Sequence, residues 1–252
     1  MTTQHSENAG KVVVITGGGA GLGLAIARRL AADGHWLFLL GRTGDKVRAA
    51  AEGLGNDAMG VPCDVSDPAS VDAAFAEIAR HAPRIDVLIN NAGVFAPFFL
   101  AEATNAQIAA ALGTNLAGPM YCSRAALAMM ERGGQILCIG SETVEVTAAM
   151  LGAYQASKAG LERFCRTLDQ EVAPRGIRVT LVRAGKMYGP DMSFAMDPEV
   201  AKRFTEESLK LGIDNRKSAL SRFESVAQLF PALLDLPPDL AVPEIMLAGR
   251  HT

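Results

Sequence analysis

Short, nearly all-apolar segments alternate with amphipathic ones along almost the whole chain of 252 residues, and this alternation constrains the fold most. Segments such as KVVVIT and IDVLIN lack the alternation of polar and apolar residues seen in a sheet with one wet face. Such runs are typical of parallel strands buried on both faces. Seven strands are therefore predicted, over residues 11–16, 35–40, 57–63, 85–90, 134–140, 177–183 and 244–249.

Helical spacing of apolar residues fills the intervals between these strands, and no linker or internal repeat interrupts the pattern. Helices are predicted for residues 21–33, 69–81, 103–131 and 153–173. Strands alternating with helices of this length indicate a parallel sheet covered by helices on both faces. The prediction is a single α/β domain over residues 1–252, a doubly wound Rossmann-type fold with about seven parallel strands.

The net charge of −3 and the absence of a basic run give no electrostatic case for nucleic-acid binding. The first ten residues are polar and lack a secretory signal, and no apolar run is long enough to span a bilayer. We expect a cytoplasmic protein that binds neither nucleic acid nor membrane, with a disordered tail over residues 1–9.

Cysteine and histidine residues are too scattered to suggest a metal site. No CxxC motif is present, and we expect all four cysteines to be buried thiols in a reducing compartment. The four cysteines are Cys63, Cys122, Cys138 and Cys165.

The stretch TGGGAGLG follows the first predicted strand and precedes a predicted helix. Its glycines are more widely spaced than in the dinucleotide motif G-x-G-x-x-G, but the physical reasoning is the same. Glycine lets the backbone turn sharply and approach a pyrophosphate, while the helix presents free N–H groups. The alternative is a merely tight turn. The predicted cofactor-binding residues here are Gly17, Gly19, Gly21, Leu22 and Gly23.

Arg42 follows the second predicted strand, where a fold that prefers NAD(H) would have an acidic residue. A carboxylate there would repel a 2′-phosphate, whereas a guanidinium can pair with it. Arg42 therefore favours NADP(H), with NAD(H) as the less favoured cofactor. A solvated surface arginine is the alternative interpretation.

Tyr154 and Lys158 lie four residues apart in the segment GAYQASKAG. This spacing places both side chains on one face of a helix, and the small residues around them leave room for a ligand. By itself, the spacing is equally compatible with an ordinary exposed pair.

With TGGGAGLG, NNAG at 90–93 and Tyr154-x-x-x-Lys158 in this order, the chain resembles the short-chain dehydrogenase/reductase family over about residues 10–190. The resemblance implies adenine contacts from Asp64 and Val65. It also implies that the NNAG segment contacts the cofactor and stabilises the central sheet. The residues of that segment are Asn91, Ala92 and Gly93.

The resemblance further implies four catalytic residues: Asn115, Ser141, Tyr154 and Lys158. Tyr154 would be the acid/base, with its pKa lowered by Lys158 and by the oxidised nicotinamide, and it would also contact the cofactor. Lys158 would also hold the nicotinamide ribose, Ser141 would donate to the substrate oxygen, and Asn115 would hold a relay water. The alternatives are that Ser141 caps a turn and Asn115 satisfies a buried carbonyl.

Two departures from the family pattern follow the sixth strand. Ala184 stands where the family usually has proline, and Gly189 where it has a threonine that contacts the nicotinamide amide. The backbone of Met187 is expected to hold that amide. The resemblance implies a homodimer or homotetramer, but the tail lacks the glycine-rich ending common in tetrameric relatives. Dimerisation through the helices at 103–131 and 153–173 is expected.

Residues 186–222 are predicted to form a flap over the substrate, with a plain surface excursion as the alternative. Apolar residues expected around the nicotinamide predict a lipophilic or aromatic ketone or aldehyde, although the same residues suit a core. They are residues 94–100, the segment 142–151, Tyr188, Met192, Phe194 and Met196.

The predicted function is that of an NADP(H)-dependent carbonyl reductase or alcohol dehydrogenase. Two alternatives remain open: an NAD(H)-dependent alcohol dehydrogenase of the same fold, and a non-catalytic NADP(H)-binding redox sensor. The presence of both Tyr154 and Lys158 argues against the sensor.

Overall fold

The central sheet has seven parallel strands, which confirms the predicted fold class. The computed structural model describes residues 10–55, 57–189, 196–214 and 217–251. Its strands are Val12–Thr16 (β1), Trp36–Gly41 (β2), Ala58–Pro62 (β3), Val87–Asn90 (β4), Gln135–Ser141 (β5), Arg178–Ala184 (β6), Met187–Tyr188 (β7), Ser221–Arg222 (β8) and Glu244–Leu247 (β9).

The order of the sheet is β3-β2-β1-β4-β5-β6-β9, and β7 pairs with β8 outside it. Val13 of β1 lies in register with Leu37 of β2 on one side and with Val87 of β4 on the other. The direction of strand progression therefore reverses at β1 and β4. In open α/β sheets, this reversal leaves a crevice at the carboxyl ends of the strands.

Helices cover both faces of the sheet, so the central strands β1, β4 and β5 are buried on two sides, whereas the edge strand β9 is partly exposed. Val14 and Phe38 point into one core, whereas Val13 and Leu37 point into the other. The helices are Gly21–Ala32 (α1), Gly44–Glu52 (α2), Pro68–His81 (α3), Asn105–Leu112 (α4), Gly118–Leu127 (α5), Gly152–Val172 (α6), Pro198–Lys210 (α7), Phe223–Ala227 (α8) and Leu229–Leu234 (α9).

The long helix predicted for residues 103–131 is present as a continuous helical stretch made of α4, a π-helical turn over Gly113–Ala117, and α5. The turn, which was not predicted, breaks the α-helical hydrogen-bond pattern. Pro119 contributes to this break, since it has no N–H to donate to the carbonyl of Asn115 four residues earlier. The extra residue in the turn places Asn115 in the protein interior.

The predicted flap contains β7, α7 and β8. Met192 and Phe194 lie outside the described residues, as does the tail over residues 1–9. None of the described helices is long and apolar enough to cross a membrane. Within the described ranges, no three His, Cys, Asp or Glu residues cluster so as to hold a metal ion.

Candidate active site

A cleft of about 400 Å³ opens at the carboxyl ends of the central strands, within the size range of ligand sites. It brings together fourteen of the sixteen residues predicted for the site; Gly23 and Asn115 lie behind its wall. The fourteen are Gly17, Gly19, Gly21, Leu22, Arg42, Asp64, Val65, Asn91, Ala92, Gly93, Ser141, Tyr154, Lys158 and Met187.

The glycine loop joins β1 to α1 through backbone conformations that suit glycine. Gly17 and Gly21 have φ angles of 66° and 54°, in the left-handed region. A Cβ on Gly23 would overlap the carbonyl of Gly17, so its lack of a side chain lets α1 pack against the loop. No side chain caps the N-terminus of α1. The loop and the helix N-terminus therefore suit a pyrophosphate.

Thr16 and Asn91 fix the glycine loop to the segment that follows β4. The Thr16 hydroxyl accepts hydrogen bonds from the backbone N–H groups of Asn91 and Ala92, both at 3.0 Å. The Asn91 amide donates to the carbonyl oxygen of Thr16 at 2.9 Å. The sequence reasoning did not identify Thr16, whose importance depends on this contact between distant segments.

Arg42, Thr43 and Lys46 form a polar corner of the cleft at the N-terminus of α2. All three are exposed. Lys46 was not predicted, although its spacing from Arg42 places both cations within one helical turn of each other. Two cations beside a helix N-terminus make this corner favourable for an anion.

Asp64 lines the cleft near Arg42, and its conformation is fixed by its neighbour Ser66. Burial raises the pKa of its carboxyl, but hydrogen bonds from Ser66 and the charge of Arg42 outweigh burial and lower it overall. The backbone N–H and hydroxyl of Ser66 donate to Asp64 Oδ1 at 3.0 and 2.7 Å. Asp64 is therefore ionised at neutral pH.

Tyr154 faces Ser141 within the cleft, beside the ring of Phe95. The Phe95 and Tyr154 rings meet edge to face, with centroids 5.0 Å apart. Burial raises the pKa of Tyr154; the hydrogen bond with Ser141 lowers it, and the charge of Glu142 raises it further. The net shift of the Tyr154 pKa is upward, and Lys158 is not among its causes. The predicted lowering by Lys158 together with the oxidised nicotinamide stays a prediction.

Lys158 is almost fully buried beneath Tyr154, one turn further along α6. Its Nζ donates to the carbonyl of Ile139 at 2.7 Å. Burial lowers the pKa of Lys158 to about 8. The amine is therefore mostly charged at neutral pH, and close enough to neutrality for its protonation to respond to a ligand.

Asn115 has its side chain fully occupied by protein groups. Its Oδ1 accepts from the backbone N–H of Val94 at 2.8 Å, and its Nδ2 donates to the Val94 carbonyl at 2.9 Å. Ser141 likewise accepts from the backbone N–H of Thr143 and caps a short turn. Ser141 thus caps a turn and Asn115 satisfies a backbone carbonyl, as the two structural alternatives predicted. The hydroxyl proton of Ser141 and the backbone carbonyl of Asn115 are not used in these contacts.

Gly189 and Phe223 account for one departure from the family pattern. A Cβ on Gly189 would overlap the ring of Phe223, which lines the cleft. A threonine at position 189 would therefore displace this ring. Phe223 was missed in the sequence because its approach to the cleft depends on how α8 packs.

Of the expected apolar wall, Val94 and Phe95 line the main cleft. Met187 and Phe223, which were not predicted for the wall, add apolar side chains there. Phe98, Phe99 and Met150 instead line a second cavity between residues 97–107 and α7. Exposed Tyr188 accepts a hydrogen bond from Arg222 at 3.0 Å and does not line the main cleft.

Helix α7 contacts the segment after β4 through paired side chains. Arg203 donates to both carboxylate oxygens of Glu102, at 2.6 and 2.5 Å, and lies 4.7 Å above the ring of Phe99. The ring of Phe204 meets that of Phe95 at 5.9 Å. Phe95 thereby connects Tyr154 with α7.

A family model described as short chain dehydrogenase matches residues 11–199. The chain belongs to the short-chain dehydrogenase family. Members of this family are oxidoreductases that use nicotinamide cofactors, so the predicted resemblance is confirmed.

Similar proteins agree with this assignment. Carbonyl reductase family member 4 from Danio rerio is 37% identical over 77% of this chain and 82% of the relative. A human 3-oxoacyl-[acyl-carrier-protein] reductase is 32% identical over 90% of each chain. A short chain dehydrogenase from Burkholderia cenocepacia, solved in complex with NADP, is 29% identical with a TM-score of 0.80. That alignment covers 97% of this chain and 98% of the solved one.

Proposed function

We propose that this protein is an NADP(H)-dependent oxidoreductase that interconverts a carbonyl compound and the corresponding alcohol, with Tyr154 as acid/base. The observation that carries the proposal is the meeting of Ser141, Tyr154 and Lys158 in the same cleft as the glycine loop. Packing alone does not explain why the side chains of Tyr154 and Lys158 line a cleft.

In the reductive direction, Tyr154 donates its proton to the substrate oxygen as negative charge develops there. The Ser141 hydroxyl donates a hydrogen bond to the same oxygen and stabilises that charge. NADPH, when bound, supplies the hydride. The raised pKa of Tyr154 keeps the phenol protonated at neutral pH, which suits a proton donor.

Lys158 returns a proton toward Tyr154 and holds the ribose hydroxyls of the cofactor. Its pKa of about 8 lets it give up and regain a proton near neutral pH. A water relay past Asn115 would use the backbone carbonyl, because the side chain is occupied by Val94. Pro119 leaves that carbonyl without its usual helical donor.

NADP(H) is favoured over NAD(H) by the two cations at the corner formed by Arg42, Thr43 and Lys46. The 2′-phosphate would meet the guanidinium of Arg42 and the ammonium of Lys46 at the N-terminus of α2. The NADP in the Burkholderia cenocepacia structure supports this choice.

A lipophilic or aromatic ketone or aldehyde is the proposed substrate, because Phe95 and Phe223 present apolar rings at the cleft. The competing proposals are an NAD(H)-dependent alcohol dehydrogenase and a non-catalytic redox sensor. A homodimer or homotetramer and a location in the cytoplasm stay predictions, as do the single-domain boundaries and the flap.

The test is the loss of reduced-nicotinamide absorbance with a panel of aliphatic and aromatic ketones and aldehydes, using NADPH and NADH in parallel. We expect turnover of aromatic carbonyls, faster with NADPH. Tight NADPH binding without turnover of any carbonyl or alcohol would favour the sensor. Equal rates with both cofactors would reject the NADP(H) preference.

A further inference from the structure

Thr143 contacts Ser141 through two polar groups. Its hydroxyl lies 2.9 Å from the Ser141 hydroxyl, and either oxygen can be the donor. Its backbone N–H also donates to the same Ser141 oxygen, at 3.3 Å. Thr143 lies in the short 3-10 turn Glu142–Glu145 that directly follows β5. No motif in the sequence pointed to this residue.

A serine hydroxyl has one proton to donate and two lone pairs to accept with. The Thr143 N–H occupies one lone pair of Ser141. If the Thr143 hydroxyl donates to the second, the Ser141 proton is left to point into the cleft. Donation to a hydroxyl oxygen also strengthens that hydroxyl as a donor, because hydrogen-bond chains are cooperative.

We propose that Thr143 is a positioning residue whose hydroxyl donates to Ser141 and so keeps the Ser141 proton directed into the cleft, toward Tyr154 in the free protein and toward the substrate oxygen once substrate is bound. This inference rests on the proposed function of the cleft. It extends that function by one residue, since Thr143 acts through Ser141 and does not line the cleft.

The turn that carries Thr143 is fixed from two directions. Gln155, next to Tyr154 on α6, donates from Nε2 to the carbonyls of Thr143 and Val146, at 2.7 and 2.5 Å. Glu145 at the end of the turn pairs with Arg183 at 2.9 Å. The Thr143 hydroxyl is thus held at a set distance from Ser141, as an orienting group must be.

Removing the Thr143 hydroxyl should change the pKa of Tyr154, which a loss of packing alone would not do. The hydrogen bond with Ser141 lowers the pKa of Tyr154. A Ser141 hydroxyl that is free to turn away donates less to the tyrosinate, so the pKa of Tyr154 rises further. Alcohol oxidation requires Tyr154 without its proton, so the rate of oxidation rises as the pH passes the pKa of Tyr154. A higher pKa therefore moves this rise in rate to higher pH.

The experiment compares Thr143→Val, which has a similar shape but no hydroxyl, with Thr143→Ser, which keeps it. Thr167→Val, an exposed position on α6 that does not line the cleft, is the matched control. We expect Thr143→Val to lower kcat about tenfold and leave KM for the cofactor unchanged, with the pH midpoint of alcohol oxidation raised. Thr143→Ser should restore both, and Thr167→Val should change neither.

A second measurement needs no turnover. The absorbance of ionised tyrosine is titrated for the wild type and for Thr143→Val, each against its Tyr154→Phe counterpart, which isolates Tyr154. A higher Tyr154 pKa in Thr143→Val supports the inference even if no substrate is found. An unchanged Tyr154 pKa overturns it, whether or not the enzyme is active.

Wild-type kcat and pH midpoint in Thr143→Val would equally overturn the inference. A lower kcat with an unmoved midpoint would too, because it would indicate only a packing role. Absent turnover in the wild type, with the titration shift present, would count against the proposed function alone. If valine prevents folding, Thr143→Ala provides the same comparison with a smaller side chain.

Discussion

The two sides of the cleft are held in place by different kinds of contact. The side proposed to hold the cofactor, called the cofactor side, lies at the ends of β1 to β4, and backbone groups and glycines set its shape, as in the approach of Gly23 to Gly17. The side proposed to hold the substrate, called the substrate side, is held by side chains about a hundred positions apart in sequence, such as Arg203 with Glu102. The turn of the glycine loop is specified locally, although Thr16 joins it to a distant segment, whereas the contacts of the substrate side exist only after the chain has folded.

Side chains on the substrate side are also more exposed to solvent than Lys158 at the floor of the cleft. Side chains of Arg203 and Glu102 are 49% and 53% exposed, so their pairing contributes little to stability. Lys158, on the shared floor of the cleft, is 5% exposed. We infer that the cofactor side is rigid, and that α7 can separate from the segment after β4 at low energetic cost.

Lys158→Met should give the largest effect on stability. The pKa of Lys158 is about 8 in the folded protein and about 10.4 in an unfolded chain. Between these values the unfolded state binds more protons, so wild-type stability rises with pH relative to the variant. Below pH 8 the buried charge lowers the stability of the wild type by up to about 3 kcal/mol, so Lys158→Met should be the more stable protein. Its advantage is reduced in part because the variant loses the hydrogen bond to the carbonyl of Ile139.

The measurement is the free energy of unfolding of both proteins between pH 7 and pH 10.5, with exposed Lys202→Met as the control. We expect the advantage of Lys158→Met to shrink steadily above pH 8. If the difference in unfolding free energy between the two proteins stays constant with pH, burial does not lower the pKa of Lys158.

Gly23→Ala tests the rigidity of the cofactor side. The added Cβ would overlap the Gly17 carbonyl and lie 2.5 Å from the Asn91 amide nitrogen, so the glycine loop must shift. We expect a loss of about 1–3 kcal/mol in stability and weaker NADPH binding, measured by thermal unfolding and calorimetry. Gly152→Ala is the control, because no atom lies within 4 Å of its added Cβ. Equal behaviour of the two variants would argue for a deformable loop.

Arg42→Ala should have a smaller effect, confined to cofactor choice. Losing the guanidinium removes a charge-assisted contact to the 2′-phosphate, so the ratio of kcat/KM for NADPH to that for NADH should fall about tenfold. Arg48→Ala, at an exposed position on α2 that does not line the cleft, should leave the ratio unchanged. An unchanged NADPH to NADH ratio of kcat/KM in Arg42→Ala would show that Arg42 is a solvated surface residue with no role in cofactor choice.

Much of the cofactor side could be predicted from the sequence, because apolar periodicity and clustered glycines are local signals. All seven strands of the central sheet and the glycine loop were predicted in this way. The break at Asn115 was not, since the apolar pattern continues through it and only Pro119 marks it. Phe223 and Thr143 reach their partners through tertiary packing, which periodicity does not encode.

The electrostatics of Tyr154 were also beyond the sequence. A spacing of four residues predicts that Tyr154 and Lys158 share a helix face, but not how deeply each is buried. Desolvation by burial is the largest influence on the pKa of both groups and opposes the predicted lowering at Tyr154. Burial depends on the complete fold, so the sign of the effect could not be read from spacing.

Glu102→Gln should have the smallest effect. It removes the charge that pairs with Arg203 on α7, at an exposed position. We expect almost unchanged thermal stability and a change of only two- to threefold in substrate KM, because exposed pairs are weak. A large loss of stability would show that α7 is an integral part of the domain, and would remove the contrast between the two sides.

The central claim is that the phenol of Tyr154 exchanges a proton with the substrate. Tyr154→Phe tests it most directly, because the variant keeps the ring beside Phe95 and removes only the hydroxyl. The account predicts a fall of about 10²- to 10⁴-fold in kcat, with unchanged NADPH affinity and unfolding temperature. Turnover close to the wild-type rate in this variant would contradict it.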